Sequence, residues 1–181
     1  TTGLGVVPSG RELGDLRVQP GDAVVASGTL GDHGATIMAS RHGVQLRHLR
    51  SDCAPLGELV ATAFACGADI RVAHDPTRGG LATVCNEVAA RAGVRIVLEE
   101  DAVPVHEETT GVTELLGLDP LYLACEGRVL FWVAAAHADR LVAALRSHPL
   151  GRAAAIIGTV EARRGDKAPV VKRDHLAVLA P

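Results

Sequence analysis

The sequence predicts a sandwich of one sheet against helices, in the α/β or α+β class, and three observations carry that expectation. Short β-branched runs bounded by glycine or charge alternate along the chain with segments whose apolar residues recur three and four apart. Hydrophobic residues make up 48% of the 181 residues, yet the large aromatics are only Phe64, Tyr122, Phe131 and Trp132, so the core must be built from Val, Leu, Ile and Ala. No apolar run approaches the roughly 20 residues that span a bilayer, so no transmembrane helix is expected.

Residues 6–21 are interrupted by Pro8, Gly10, Gly14, Pro20 and Gly21 and read as a linker. "GDAVVASG" then holds a buried strand around Val24–Ala26. In "TLGDHGATIMASRHG", Asp32 suits the cap of a helix that carries Ile37 and Met38 and stops at Gly43. In "SDCAPLGELVATAFACG", Ser51 or Asp52 is the expected cap and Pro55 fits the first turn. Leu56, Leu59, Val60, Ala63 and Phe64 then keep helical spacing up to Gly67. "DIRVAH" is a short strand, and helix 81–92 follows with Leu81, Val84, Cys85 and Val88 on one face and Gly93 as its stop. "VRIVLEE" alternates as a half-buried strand, after which a polar loop leads to a short helix around Val112–Leu116 and an irregular stretch to Gly127. "RVLFWVAA" is the clearest strand, being β-branched and aromatic. "HADRLVAALRSHPLG" is an amphipathic helix with Leu141, Val142 and Leu145 inward, and "AAAIIGTVEA" and "APVVKRD" are last strands joined by the charged turn Arg163–Asp166.

A net charge of -3 without a Lys/Arg cluster gives no electrostatic footprint for DNA, RNA or an anionic membrane, and so few aromatics offer no platform for stacking bases. The four cysteines, Cys53, Cys66, Cys85 and Cys125, are scattered without a zinc or redox spacing, so reduced thiols in a cytoplasmic protein are expected. "TTGLGVVPSG" has no initiator Met, basic region or apolar run, and reads as a start partway through a longer chain.

Loops that open helices are the places to look for chemistry, because a helix N-terminus leaves backbone N–H groups unpaired and favours anions. "DPTRGG", Asp75 to Gly80, combines Gly79 and Gly80 for close backbone approach, the Thr77 hydroxyl, the Arg78 guanidinium for phosphate, and Asp75 for a divalent cation shared with phosphate oxygens. Asn86 lies two turns into the same helix. The competing reading makes Asp75 and Thr77 caps of a tight turn, and spacing alone prefers it. The loop is no Walker motif. "GDHG" exposes Asp32 and His33, where a cap with a surface His is the better reading. Nothing near Cys53 lowers its pKa, so no nucleophile is assigned there. Glu126 in "ACEG" reads equally as a general base in apolar surroundings or as a turn residue in water. No two of the eight histidines share the helical zinc spacing.

Taken in order, "TTGLG", "RVQPGDAVVASGTLGDHG", "SDCAPL", "DPTRGGLATVCNE", "LGLDPLYLACEG" and "HPLGRAAAIIG" resemble the C-terminal part of the hydrogenase-maturation carbamoyl dehydratases. These belong to the aminoimidazole-ribonucleotide-synthetase-related, PurM-like superfamily, with selenophosphate synthetase and thiamine-monophosphate kinase as more distant relatives. The resemblance implies an α+β layered domain over residues 22–181, a linker at 6–21, and in 1–5 the closing strand of an N-terminal ATP-binding domain that also forms a homodimer. It implies ATP and magnesium as cofactors, a carbamoyltransferase partner that loads a C-terminal cysteine, and an iron-scaffold complex that receives the cyanide. It implies nucleotide contacts from Asp75, Thr77, Arg78, Gly79, Gly80 and Asn86, magnesium at Asp75, and catalytic roles for Glu126 and His33. Two departures stand out: the chain ends in "DHLAVLAP" rather than the family's "PRIC"-like tail, and Cys125 stands where the family often has Asn. These 181 residues alone are therefore expected to be inactive. The alternatives are another ATP-using enzyme of the superfamily or a non-catalytic interaction domain.

Overall fold

A computed structural model describes residues 4, 6, 10, 12–163, 165 and 170–172. Six strands, β1 (Asp22–Ala26), β2 (Ile70–His74), β3 (Val94–Leu98), β4 (Leu130–Ala134), β5 (Ala155–Ala162) and β6 (Val170–Lys172), form one sheet in the order β2-β4-β1-β5-β3-β6. Every pairing is antiparallel except that of β3 with β6. β6 thus crosses over to the far side of β3 instead of returning beside β5, and Arg164 and Asp166 of the expected charged turn lie outside the described residues.

Side chains alternate along a strand, so one central strand serves two cores. In β1, Val24 and Ala26 join a core under helix α3 (Gly80–Ala92), while Ala23 and Val25 join the opposite core under α2 (Gly57–Ala65) and α5 (Ala138–Arg146). β4 divides in the same way, with Trp132 in the first core and Phe131 in the second. The first core takes Leu81, Val84, Cys85 and Val88 from α3, and the second takes Leu59 and Ala63 from α2 with Leu141, Val142 and Leu145 from α5. These are the apolar stripes that the periodicity marks. A third, smaller cluster joins α1 (Asp32–Arg41) to α4 (Glu107–Leu116) through Ala35, Ala39 and Val112. The architecture is the α+β layered sheet and helices that the resemblance implies.

Several local expectations change. Asp32 is the first residue of α1 and does not cap it; Gly31, in the left-handed region, holds the N-cap position. Met38 packs in the third cluster, but Ile37 faces solvent. Pro55 precedes α2, whose N-cap is Leu56, and neither Ser51 nor Asp52 caps it. Helix α4 starts at Glu107, not near Val112, because the His106 ring nitrogen accepts the Glu108 N–H at 3.2 Å and opens the helix earlier.

Of the expected closing strand at 1–5, only residue 4 is described. Residues 12–21 of the expected linker carry a 3-10 turn, Asp15–Arg17, that lies against α3 and β2. The Gly14 N–H donates to the Arg71 carbonyl at 3.0 Å, and Asp15 accepts from His74 Nε2 at 2.8 Å and Arg91 Nη1 at 2.7 Å. Burial would raise the Asp15 pKa, but the hydrogen bonds from Arg91 and His74 outweigh it and hold the carboxyl below its usual range. The four cysteines are free thiols. Among the described residues no helix is long and apolar enough to cross a membrane.

Candidate active site

The register brings the motifs to one end of the sheet. Ala26 and His74, the last residues of β1 and β2, both pair with Leu130 at the start of β4, and Ala26 also pairs with Ala155 at the start of β5. The chain leaving β1, the chain leaving β2 and the chain entering β4 therefore meet there, and the loop holding Ser51 and Asp52 packs beside them.

The "DPTRGG" loop joins β2 to α3. Asp75 and Arg78 are exposed and Thr77 is half-buried. Among the described residues no side chain caps α3, so the capped-turn reading lacks the hydrogen bond that defines it. Gly79 and Gly80 have φ of 74° and 59°, in the left-handed region. A Cβ on Gly80 would stand 2.5 Å from the Leu123 carbonyl oxygen and 2.6 Å from that of Leu121. The closest approach at Gly80 is therefore to the protein's own chain. Asn86 is buried, and its Nδ2 donates to the Ala82 carbonyl at 2.9 Å, one turn back along α3.

The segment before β4 threads between these loops. The Cys125 N–H donates to the Pro76 carbonyl at 2.9 Å, and the Cys125 sulfur accepts from the Gly31 N–H at 3.1 Å. Burial pushes the Cys125 thiol up to about 12, so it is neutral at physiological pH and no nucleophile. Glu126 is exposed, not enclosed in apolar surroundings, and its N–H donates to Asp52 Oδ1 at 3.0 Å. A Cβ on Gly127 would collide with the Asp52 carbonyl, so only glycine lets the two chains touch there. His33, on the first turn of α1, shares a 2.9 Å hydrogen bond between Nδ1 and Ser51 Oγ.

Arg128 is the residue that sequence reasoning missed. Its Nε donates to the Thr29 carbonyl at 2.7 Å, Nη2 to Thr29 Oγ1 at 3.0 Å and Nη1 to the Gly127 carbonyl at 3.0 Å. It also lies 3.6 Å from Asp32 Oδ2 and 3.8 Å from Asp52 Oδ2. Asp32, buried, accepts from Thr29 and from Thr109 Oγ1 of α4 at 2.8 Å. Two buried carboxylates thus flank one guanidinium, an arrangement in which the opposite charge offsets the cost of desolvation. The available signal was the charge opening an otherwise apolar strand, right after "EG".

The uncapped start of a 13-residue helix, with an exposed guanidinium and carboxylate ahead of it, suits an anion with its own cation. Among the described residues no three His, Cys, Asp or Glu side chains gather as a metal site, so a cation at Asp75 would draw its other ligands from phosphate oxygens and water.

A layered α+β domain with a glycine loop opening a helix at one sheet end defines the class. The chain belongs to the family described as AIR synthase related protein, C-terminal domain, which its residues 19–171 match. Within that class it is similar to carbamoyl dehydratase HypE of Rhodobacter capsulatus, 50% identical over 159 residues, 87% of this chain and 47% of that protein. The chain spans about half the length of the curated relatives it matches. Escherichia coli HypE superposes with a TM-score of 0.87 at 42% identity, over 93% of this chain and 51% of that one. A HypE crystallised in complex with ATP gives 0.86 at 38% identity, over 93% and 52%. The HypE-HypF complex gives 0.82 at 36% identity, over 90% and 53%.

Proposed function

We propose that the chain is the C-terminal half of an ATP-dependent carbamoyl dehydratase, which converts an S-carbamoyl C-terminal cysteine to a thiocyanate and so supplies the cyanide ligand of nickel-iron hydrogenase. One observation carries this reading: 50% identity to a carbamoyl dehydratase over 87% of the chain. The site chemistry is consistent with it. The thiocarbamate R–S–C(=O)–NH2 loses two amide protons and its oxygen to become R–S–C≡N, and the oxygen is a poor leaving group. ATP, when bound, supplies a phosphoryl group that lets that oxygen depart as phosphate.

The chain's own groups divide the remaining work. The start of α3, with Thr77, Arg78, Gly79 and Gly80, faces the nucleotide phosphates. Asp75 would hold a magnesium ion, which would offset phosphate charge, and Asn86, expected as a nucleotide contact, acts from two turns into the helix, where its Nδ2 is bonded to the Ala82 carbonyl. Glu126 takes an amide proton, which its exposure at the site allows, and His33 assists in proton transfer. In the full-length protein an N-terminal domain supplies most of the nucleotide site and the homodimer contact. HypE bound to HypF in a solved complex supports the carbamoyltransferase partner, and an iron-scaffold complex accepts the product.

The test is magnesium-dependent ATP hydrolysis by the protein expressed over its full reading frame, with and without an S-carbamoyl cysteine substrate. Asp75→Ala lowers ATP turnover at least about tenfold, and Glu126→Gln lowers thiocyanate formation about a hundredfold or more, the usual yield of a positioned base. Wild-type turnover by both variants would sink the site assignment.

A further inference from the structure

Asp52 is a carboxylate that the proposed chemistry does not use, and its side chain is 0% exposed. A charge so buried is costly unless it is paired and hydrogen-bonded. Its pair is Arg128, at 3.8 Å, but the guanidinium spends its own hydrogen bonds on Thr29 and Gly127. Asp52 accepts its hydrogen bond elsewhere, at Oδ1 from the N–H of Glu126 at 3.0 Å, a residue 74 positions away in sequence. The Asp52 carbonyl is pressed against Gly127, the next residue along, and the neighbouring Ser51 hydroxyl bonds the ring of His33. One dipeptide therefore touches both candidate catalytic residues. From the other side, the Pro76 carbonyl of the phosphate loop accepts the N–H of Cys125. Glu126 itself is exposed, and its backbone fixes the Cα–Cβ direction from which its carboxylate starts.

We propose that Asp52 is a positioning residue for Glu126: its Oδ1 fixes the Glu126 amide and thereby the direction in which the exposed carboxylate leaves the chain. This rests on the assignment of Glu126 as the base. Asp52 also pairs with Arg128, which holds the Gly127 carbonyl, so the 125–126 and 127–128 peptides that bracket Glu126 are both anchored.

The experiment compares Asp52→Ala, Asp52→Asn and Asp52→Glu in the protein expressed over its full reading frame. It measures kcat, KM for ATP, and hydrogen exchange in the peptide covering residues 123–128. Asp52→Ala loses about a hundredfold in kcat, the scale of a 1 Å misplacement, with KM for ATP within about twofold, and exchange at 123–128 accelerates. Asp52→Asn keeps an acceptor oxygen and stays within about tenfold of wild type. Asp52→Glu keeps the charge but moves the acceptor by one methylene, and it behaves like Asp52→Ala. Across every variant that folds, kcat and exchange move together. A folded variant in which one moves without the other overturns the proposal, as does Asp52→Ala or Asp52→Glu with both at wild-type values. If Asp52→Ala does not fold, the other two variants carry the same comparison. Glu126→Gln separates the two levels: wild-type kcat there removes the base assignment and the positioning role with it. An inactive Glu126→Gln beside a fully active Asp52→Ala removes the positioning role alone.

Discussion

Glu108, on the first turn of α4, spends its carboxylate on a loop some 60 residues earlier: Oε1 accepts the Arg47 N–H at 2.8 Å, and Oε2 accepts those of His48, at 2.9 Å, and Leu49. Hydrogen bonds from the N–H groups of Arg47 and Leu49 lower its pKa from an ordinary 4.5 to about 2. A lowered carboxylate stabilises the fold fully above its unfolded value and loses that stabilisation as pH falls through its folded one. Glu108→Gln should therefore lower the melting temperature at pH 7, and the gap to wild type should narrow between pH 4.5 and about 2. A gap constant with pH in thermal melts would show that the charge is not what holds the loop. Such links were not legible in the sequence. Glu108 looks like one of two adjacent acids, and Asp32 looks like a helix cap, until folding sets them against partners many residues away. Arg128 was missed for the same reason, since its hydrogen bonds to Thr29 span 99 positions. By contrast, the position of Asp75, Thr77 and Arg78 in a glycine loop that opens a helix was legible, because loop and helix are contiguous in the chain.

At the scale of the element, α3 starts and ends on left-handed glycines that carry different loads. Gly80 is pressed on the carbonyls of Leu121 and Leu123, whereas nothing stands within 4 Å of a Cβ on Gly93. Gly80→Ala should cost about 3 kcal/mol, strain and overpacking together. Gly93→Ala should cost about 1 kcal/mol, from backbone conformation alone. Urea denaturation of the two variants checks the ranking, and equal losses would show that the 120–126 segment yields to the new methyl. Helices α2, α3 and α5 were legible because their apolar residues keep helical spacing and glycines follow them. The first turns of α4 were not, because "EETTG" is rich in residues of modest helix propensity. Beside the local His106 cap, the contacts that hold it are tertiary: Thr109 reaches Asp32, and Val112 packs with α1.

At the scale of the whole molecule, the layering was legible and the strand order was not. Composition and period require a sheet covered by helices, but which strands pair depends on contacts between distant segments, and β6 beside β3 is the clearest instance. Residues 12–17 show how much a segment with a single 3-10 turn can be held by side chains, for Asp15 joins it to β2 through His74 and to α3 through Arg91. Asp15→Ala should expose the Arg17 peptide bond to trypsin earlier than in wild type while the melting of the three-layer core stays cooperative. Unchanged cleavage at Arg17 would mean that the backbone contact to Arg71 suffices. His74 is the residue immediately before Asp75. Asp15 thus acts as a tether that ties the chain ahead of β1 both to the strand end from which the Asp75–Gly80 loop departs and to α3, the helix which that loop opens.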